Sequence, residues 1–360
     1  GIVVNAGTLS TSGAGTITLD GTAGGSGAVG NSYGVLVSGG GAITAADGLV
    51  SVTGHNNSTS TGIRNHGIFV TGASSTIRST GTGGVTVAGT GGGTGASGSN
   101  TGVFWDVANG IQSTGTGAVN ITGTGGDMGG SGSDNNGVIG TAALTGSGGP
   151  INITGTPSNS TGGNNFGISL TSVAASAGPI TLTSTGVVTA SGAVTGASLN
   201  LLGAGGTHTF TNAGNLVNTL AANTGSVNFA QTGALSIGTA GVTATGTVLV
   251  NVAGALSLAV GANVSATGAG TPLTLAASTN FINNDGPAAL TTGGGGRWLV
   301  YSAGPAGDSF GGLASGNQAI WNTTYPTAIT PTGNRYVFAT QPTATYTSTD
   351  VTKTYGTVSY

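Results

Sequence analysis

Eight aspartates and three histidines are the only acid, base or metal-ligand side chains of ordinary strength here, because glutamate and cysteine are both missing from the 360 residues. A glycan-cleaving site would need carboxylates on neighbouring segments, within about 5 to 10 Å of one another. The aspartates fall at different phases of the repeat described below. Asp20 follows its first strand, Asp106 its second and Asp47 its third, while Asp127 and Asp134 belong to a loop. They form no stack, so no catalytic residue is assigned.

His55, His66 and His208 each lack a second ligand at a metal-site spacing, and are read as solvated or packed. Gly129-Gly130-Ser131-Gly132-Ser133-Asp134 matches the start of a calcium-binding nonapeptide, but occurs once and lacks the aliphatic residue that should follow. With 75 glycines such a match, like any phosphate-loop lookalike, arises by chance. The same holds for sequons such as Asn57-Ser58-Thr59. The sequence therefore implies no metal, no cofactor and, with no cysteine, no disulfide framework.

The elements that would carry these residues are strands. Only 4% of residues are charged, against about 25% in an ordinary domain. Gly, Ser, Thr, Asn and Val abound, and most good helix formers are scarce. A disordered Gly/Ser tract is the competing reading. The 37% hydrophobic content argues against it, because it falls into alternating runs such as Val85-Thr86-Val87. A formal charge of −3 supplies no basic stripe, so nucleic acid is not an expected partner. No apolar run is long enough to span a membrane. The chain has its only methionine at Met128 and no signal peptide, and reads as an interior fragment.

An apolar-x-apolar triplet recurs at Ile17-Leu19, Val50-Val52, Val85-Val87, Val119-Ile121, Ile151-Ile153 and Ile180-Leu182. A glycine-aliphatic pair keeps step with it at Gly34-Val35, Gly67-Ile68, Gly102-Val103, Gly137-Val138 and Gly167-Ile168. A looser third anchor falls at Ile43, Ile77, Ile111 and Leu144. Three strand signals per repeat, separated by glycine-rich turns, predict one coil of a three-sided solenoid. The fold class is thus all-β, a right-handed parallel β-helix with a small β-rich C-terminal module. The triplet centres, Thr18, Ser51, Thr86, Asn120, Asn152 and Thr181, are all polar and should face out. Large insertions such as Gly89 to Thr101 fall only between the first and second strands, where they predict surface loops.

Three units follow. Residues 1–283 form the β-helix, with long-loop rungs to about 180 and shorter rungs after. Residues 284–342 form an aromatic-rich cap or transition module, and 343–360 begin a further β repeat. Ten of the 18 aromatic residues and the only lysine lie from Arg297 onward. A cap is needed because an open solenoid end exposes unpaired strand edges.

One outward row is not polar. After the inward aliphatic of the second strand come Leu36, Phe69, Phe104 and Ile139 in four successive rungs. Such a stripe is a candidate contact surface for a filament, a glycan or an accessory domain. The bland alternative is that the neighbouring long loops fold back over it. The outward Thr/Ser/Asn file also suits an ice-binding reading, although it is one mixed file and not two regular threonine files.

The glycine-rich rungs, Arg297-Trp298-Leu299-Val300-Tyr301-Ser302, Ala319-Ile320-Trp321-Asn322 and Gly333-Asn334-Arg335-Tyr336-Val337-Phe338 resemble filamentous haemagglutinin-type exoproteins of Gram-negative bacteria. Lys353-Thr354-Tyr355-Gly356-Thr357 is similar to the start of YDG or mucin-binding-like repeats. The resemblance implies two-partner secretion through an outer-membrane transporter and a place outside the cell or on its surface. It also implies a non-catalytic stalk that attaches to host or environmental surfaces or glycans. A polysaccharide-active enzyme on the same fold is the alternative.

Overall fold

The computed structural model describes residues 1–347; the Lys353-Thr357 segment lies outside the described residues. Strands are nearly the only regular element, and the single helical turn described is Pro305–Gly307. They form a parallel β-helix whose rungs have three sides, which we call A, B and C.

Side A carries the triplets. Ile17, Val50, Val85, Val119, Ile151, Ile180 and Leu199 lie in one file, and Leu19, Val52, Val87, Ile121, Ile153, Leu182 and Leu201 in the next. From the second rung onward all of these are buried, while the polar centres between them face outward. This is strand alternation with one buried face, held in register by parallel pairing. Side B stacks Val35, Ile68, Val103, Val138, Ile168 and Val188. Side C stacks Leu9, Ile43, Ile77 and Ile111, and then Leu144, Val173 and Val194. All of these but Leu9, in the first rung, are buried in one continuous column. A lone rung hides few aliphatic side chains from water, and ordering its thirty-odd residues costs more than that burial returns, so rungs stabilise one another.

The inner column is filled by complementary sizes. In the second inward file of side B, Val70, Trp105, Gly140 and Leu170 are consecutive. Trp105 is fully buried, and its ring occupies the space that a Cβ on Gly140 would need. The indole Nε1 donates to the Ala142 carbonyl at 3.0 Å.

Between sides A and B each long rung makes an excursion. At its neck the strand-ending glycines Gly54, Gly89, Gly123 and Gly155 meet the Gly67, Gly102, Gly137 and Gly167 carbonyls at distances no Cβ tolerates. The excursions are the surface loops that the insertions predict, but they are ordered by one another. They stack on one another by backbone hydrogen bonds, as from Thr59 and Thr61 to Gly25 and Gly27, from Thr94 to Ser60, and from Thr161 to Gly130. Ser58, Ser60, Ser97, Ser158 and Ser160 are buried inside this lobe.

The lobe returns to side B through one repeated corner. Asn31, Arg64, Ser99, Asp134 and Asn164 all adopt left-handed backbone with φ between 57° and 62°. The next residues, Asn65, Asn100, Asn135 and Asn165, form an asparagine ladder. The Asn65 and Asn100 amides each donate to the following asparagine Oδ1 at 2.9 Å, by backbone N–H, and Asn135 repeats the bond to Asn165.

Past Ile180 the rungs shorten and the excursion is lost. Val194–Phe210 runs unbroken through all three sides, resting successively on Val173–Ala175, Pro179–Thr183 and Val187–Ala190. Residues 284–342 keep to the same stack. Trp298–Ser302 pairs with Leu273–Ala277, Arg335–Phe338 pairs with Trp298–Ser302, and two-residue Ala319–Ile320 forms the last edge. Phe310, Trp321, Tyr336 and Phe338 cover the end of the column, with ring centroids 4.5 Å apart for Phe310–Tyr336 and 4.9 Å for Trp321–Phe338. So short an edge offers little backbone for another chain to pair with.

Candidate binding groove

The corner and side B together form a trough parallel to the coil axis, of about 580 Å³. Four files of side chains line it. Phe69, Phe104, Ile139 and Ser169 come from the outward row of side B, and Tyr33, His66, Thr101, Asn136 and Phe166 from the first position of the same side. Arg64, Ser99 and Asp134 come from the left-handed corner and make one wall, while Asp106 and Thr141 stand beyond the side-B strands and make the other.

Parallel register brings the apolar row together as the sequence predicts: Leu36 lies on Phe69, Phe69 on Phe104 and Phe104 on Ile139. All four are half-buried. The excursion neither leaves the row bare nor closes over it, but rises beside it as a wall. Phe69 and Phe104 stack at 4.8 Å with 12° between their planes, and Tyr33 and His66 at 5.7 Å with 16°. Because these rings hold one another, the floor is formed in advance of any ligand.

His66 sits within this floor and is almost fully buried. Its Nδ1 accepts from the Thr101 amide at 3.1 Å, which leaves the proton of the neutral ring on Nε2. Burial, with the Arg64 charge adding to it, holds its pKa down at about 4. Burial likewise pushes the Tyr33 phenol up, against the smaller pull of Arg64. The floor is thus uncharged at neutral pH. On the walls, Asp106 accepts from the Thr71 hydroxyl at 2.8 Å.

The other singled-out residues lie elsewhere. His55 is exposed. His208 occupies an inward file between Val188 and Val227, fully buried, with Nε2 unpartnered. Asp127 is buried in the excursion, one oxygen accepting from the Gly132 amide at 2.8 Å. No three His or Asp side chains among the described residues are grouped to hold a metal ion. Asp106 and Asp134 do reach the same trough, from opposite walls. Their rung phases concealed this, because the excursion carries Asp134 back beside the strand that precedes Asp106.

The walls and first-position file were legible only by aligning each rung on its glycine-aliphatic pair, two residues before which the ladder asparagines recur. Fold and groove define a parallel β-solenoid with one lateral, aromatic-floored trough. Among known proteins, no family, curated sequence or solved structure matches the chain. No helix of the described residues is long and apolar enough to cross a membrane.

Proposed function

We propose that the chain is a non-catalytic extracellular scaffold, the shaft of a large secreted bacterial adhesin that holds an attachment surface away from the cell. The unbroken register supports this reading most. Thirteen strands of side B, from Ile2–Asn5 to Arg335–Phe338, pair in sequence along the coil. At roughly 4.8 Å per step they make a rod about 60 Å long whose load passes through stacked hydrogen bonds. On this reading, which follows the resemblance to filamentous haemagglutinin-type exoproteins, an outer-membrane transporter exports the protein to the Gram-negative surface.

A second reading, a polysaccharide-active enzyme, draws on Asp106 and Asp134 lining one trough. One experiment separates the two. Beads coated with the purified chain, or with a globular carrier, are washed over cell and polysaccharide surfaces while the supernatant is assayed for new reducing ends and unsaturated products. Specific retention without products is expected. Product release overturns the non-catalytic reading, and retention equal to the carrier overturns the attachment reading.

A further inference from the structure

We propose that the trough beside side B binds a linear, uncharged glycan chain lying along the coil axis. The inference rests on the attachment reading and names the ligand class of its surface. Four features carry it.

The first is direction. The lining files run from rung to rung, so an elongated ligand meets side chains at equivalent positions at a repeat of about 4.8 Å. From Tyr33 to Phe166 and from Phe69 to Ser169 the trough spans several rungs, and its volume of about 580 Å³ is that of a ligand site.

The second is the distribution of polarity. The floor is largely apolar, through Phe69, Phe104, Ile139 and Phe166, while both walls carry donors and acceptors. Ser99 and Asp134 stand on one side and Asp106 and Thr141 on the other. A β-linked glycan ribbon has the matching section, with C–H groups on its faces and hydroxyls along both edges. Phe69 and Phe104 turn their faces to each other, so the contact they offer is dispersion against a preformed apolar ridge.

The third is charge. One arginine and two aspartates line the trough, and burial keeps the floor histidine neutral at pH 7. With a single cation outnumbered by two carboxylates, the set disfavours sulfated or uronate-rich chains and nucleic acid.

The fourth is the state of the backbone. Each lining strand already pairs on both edges, as His66–Val70 does with Tyr33–Ser38 and Val103–Trp105. An extended peptide therefore finds no free edge to join as an added strand. A glycan needs none.

The test is titration calorimetry of the whole chain with neutral linear hexasaccharides of the gluco-, xylo-, manno- and N-acetylglucosamine series, and with a proline-rich peptide. Two variants accompany it. Phe69→Ala with Phe104→Ala removes the ridge, and Thr141→Trp fills the trough while leaving every inward residue in place. Circular dichroism and the thermal midpoint establish that each is folded.

Saturable binding of at least one series, weakened about tenfold or more in both variants, is the expected result. Absence of binding to every neutral glycan, affinity unchanged in the folded Thr141→Trp variant, or preference for the peptide each overturns the proposal. Bead retention that persists without glycan binding leaves the scaffold reading standing and removes this one. Glycan binding with cleavage keeps the ligand class and removes the non-catalytic reading.

Discussion

Asn100 and Asn152 are both stacked asparagines, two rungs apart, yet replacing each by alanine should have very different consequences. Asn100 is fully buried at the excursion corner. Its Oδ1 accepts from the Asn65 backbone at 2.9 Å and from Asn65 Nδ2 at 3.1 Å, and its own Nδ2 donates to Ser97 and Asn135 at 2.9 Å. With alanine there, Asn135 Oδ1 keeps the Asn100 backbone donor and Asn65 Nδ2 keeps the Gly62 carbonyl. The Asn65 backbone N–H, in a residue with no exposure, loses its acceptor. An orphaned buried donor costs about 1 to 3 kcal/mol, and the lost side-chain bonds bring the total to roughly 2 to 4 kcal/mol.

Asn152 makes one side-chain bond, Nδ2 to Asn120 Oδ1 at 2.9 Å, on the outward and partly solvated face of side A. Water replaces that bond, so Asn152→Ala should cost less than about 1 kcal/mol. Urea unfolding measures both differences, and hydrogen exchange locates them. Asn100→Ala should lose protection at the Asn65 amide and through the excursions on either side. Equal destabilisation by the two substitutions, or exchange at Asn65 unchanged in Asn100→Ala, would refute the claim that the ladder holds the corner.

Two further outcomes follow from the inner column. Gly140→Val should destabilise by about 3 kcal/mol or more through collision with the Trp105 ring. Trp105→Val should destabilise by a similar amount through the void it leaves. The double variant should recover most of both losses in thermal melts, since the two positions share one space; simple additivity counts against the complementarity. His66 and His208 both fall from an ordinary pKa of 6.5 to about 4 on folding, each chiefly through burial. Both contributions are complete above pH 6.5 and are lost as pH falls from 6.5 to about 4, where they level off, at roughly 3 kcal/mol for each histidine. His208→Leu should remove about half of that slope in denaturant titrations at pH 7.5 and 4.5, and an unchanged slope contradicts the assignment.

The side-A triplets disclose their register because aliphatic and polar residues alternate strictly, and only one pairing places Val52, Val87 and Ile121 together inside. The excursions resist the same reading. Their buried side chains include Ser58, Ser97 and Ser160, satisfied by hydrogen bonds to carbonyls of the preceding excursion, so hydrophobicity carries no signal and Gly/Ser composition suggests a loose loop. The ladder asparagines have a signal of position alone, two residues before each glycine-aliphatic pair. For the trough, the outward row of Leu36, Phe69, Phe104 and Ile139 is visible in sequence, but its walls are not. Arg64 and Asp134 are adjacent to it only because the glycine neck folds each excursion back onto side B.

That dependence sets where large outward rings can be sheltered. Along the outward file of side B, Ile139 is followed by Ser169, Thr189, Thr209 and Asn228. The change begins at Ser169, in the rung that still has the last excursion corner at Asn164, and the file becomes apolar again at Leu249, in a rung without an excursion. An outward phenylalanine is half-shielded only while a wall stands beside it; without the wall it would stand bare on the rod and invite lateral association. The wall of the trough is therefore governed by the length of chain between sides A and B. Lengthening it adds a wall beside which outward aromatic rings can lie, while shortening it removes that wall. The inward column is unaffected, because the glycine neck closes each excursion before side B begins.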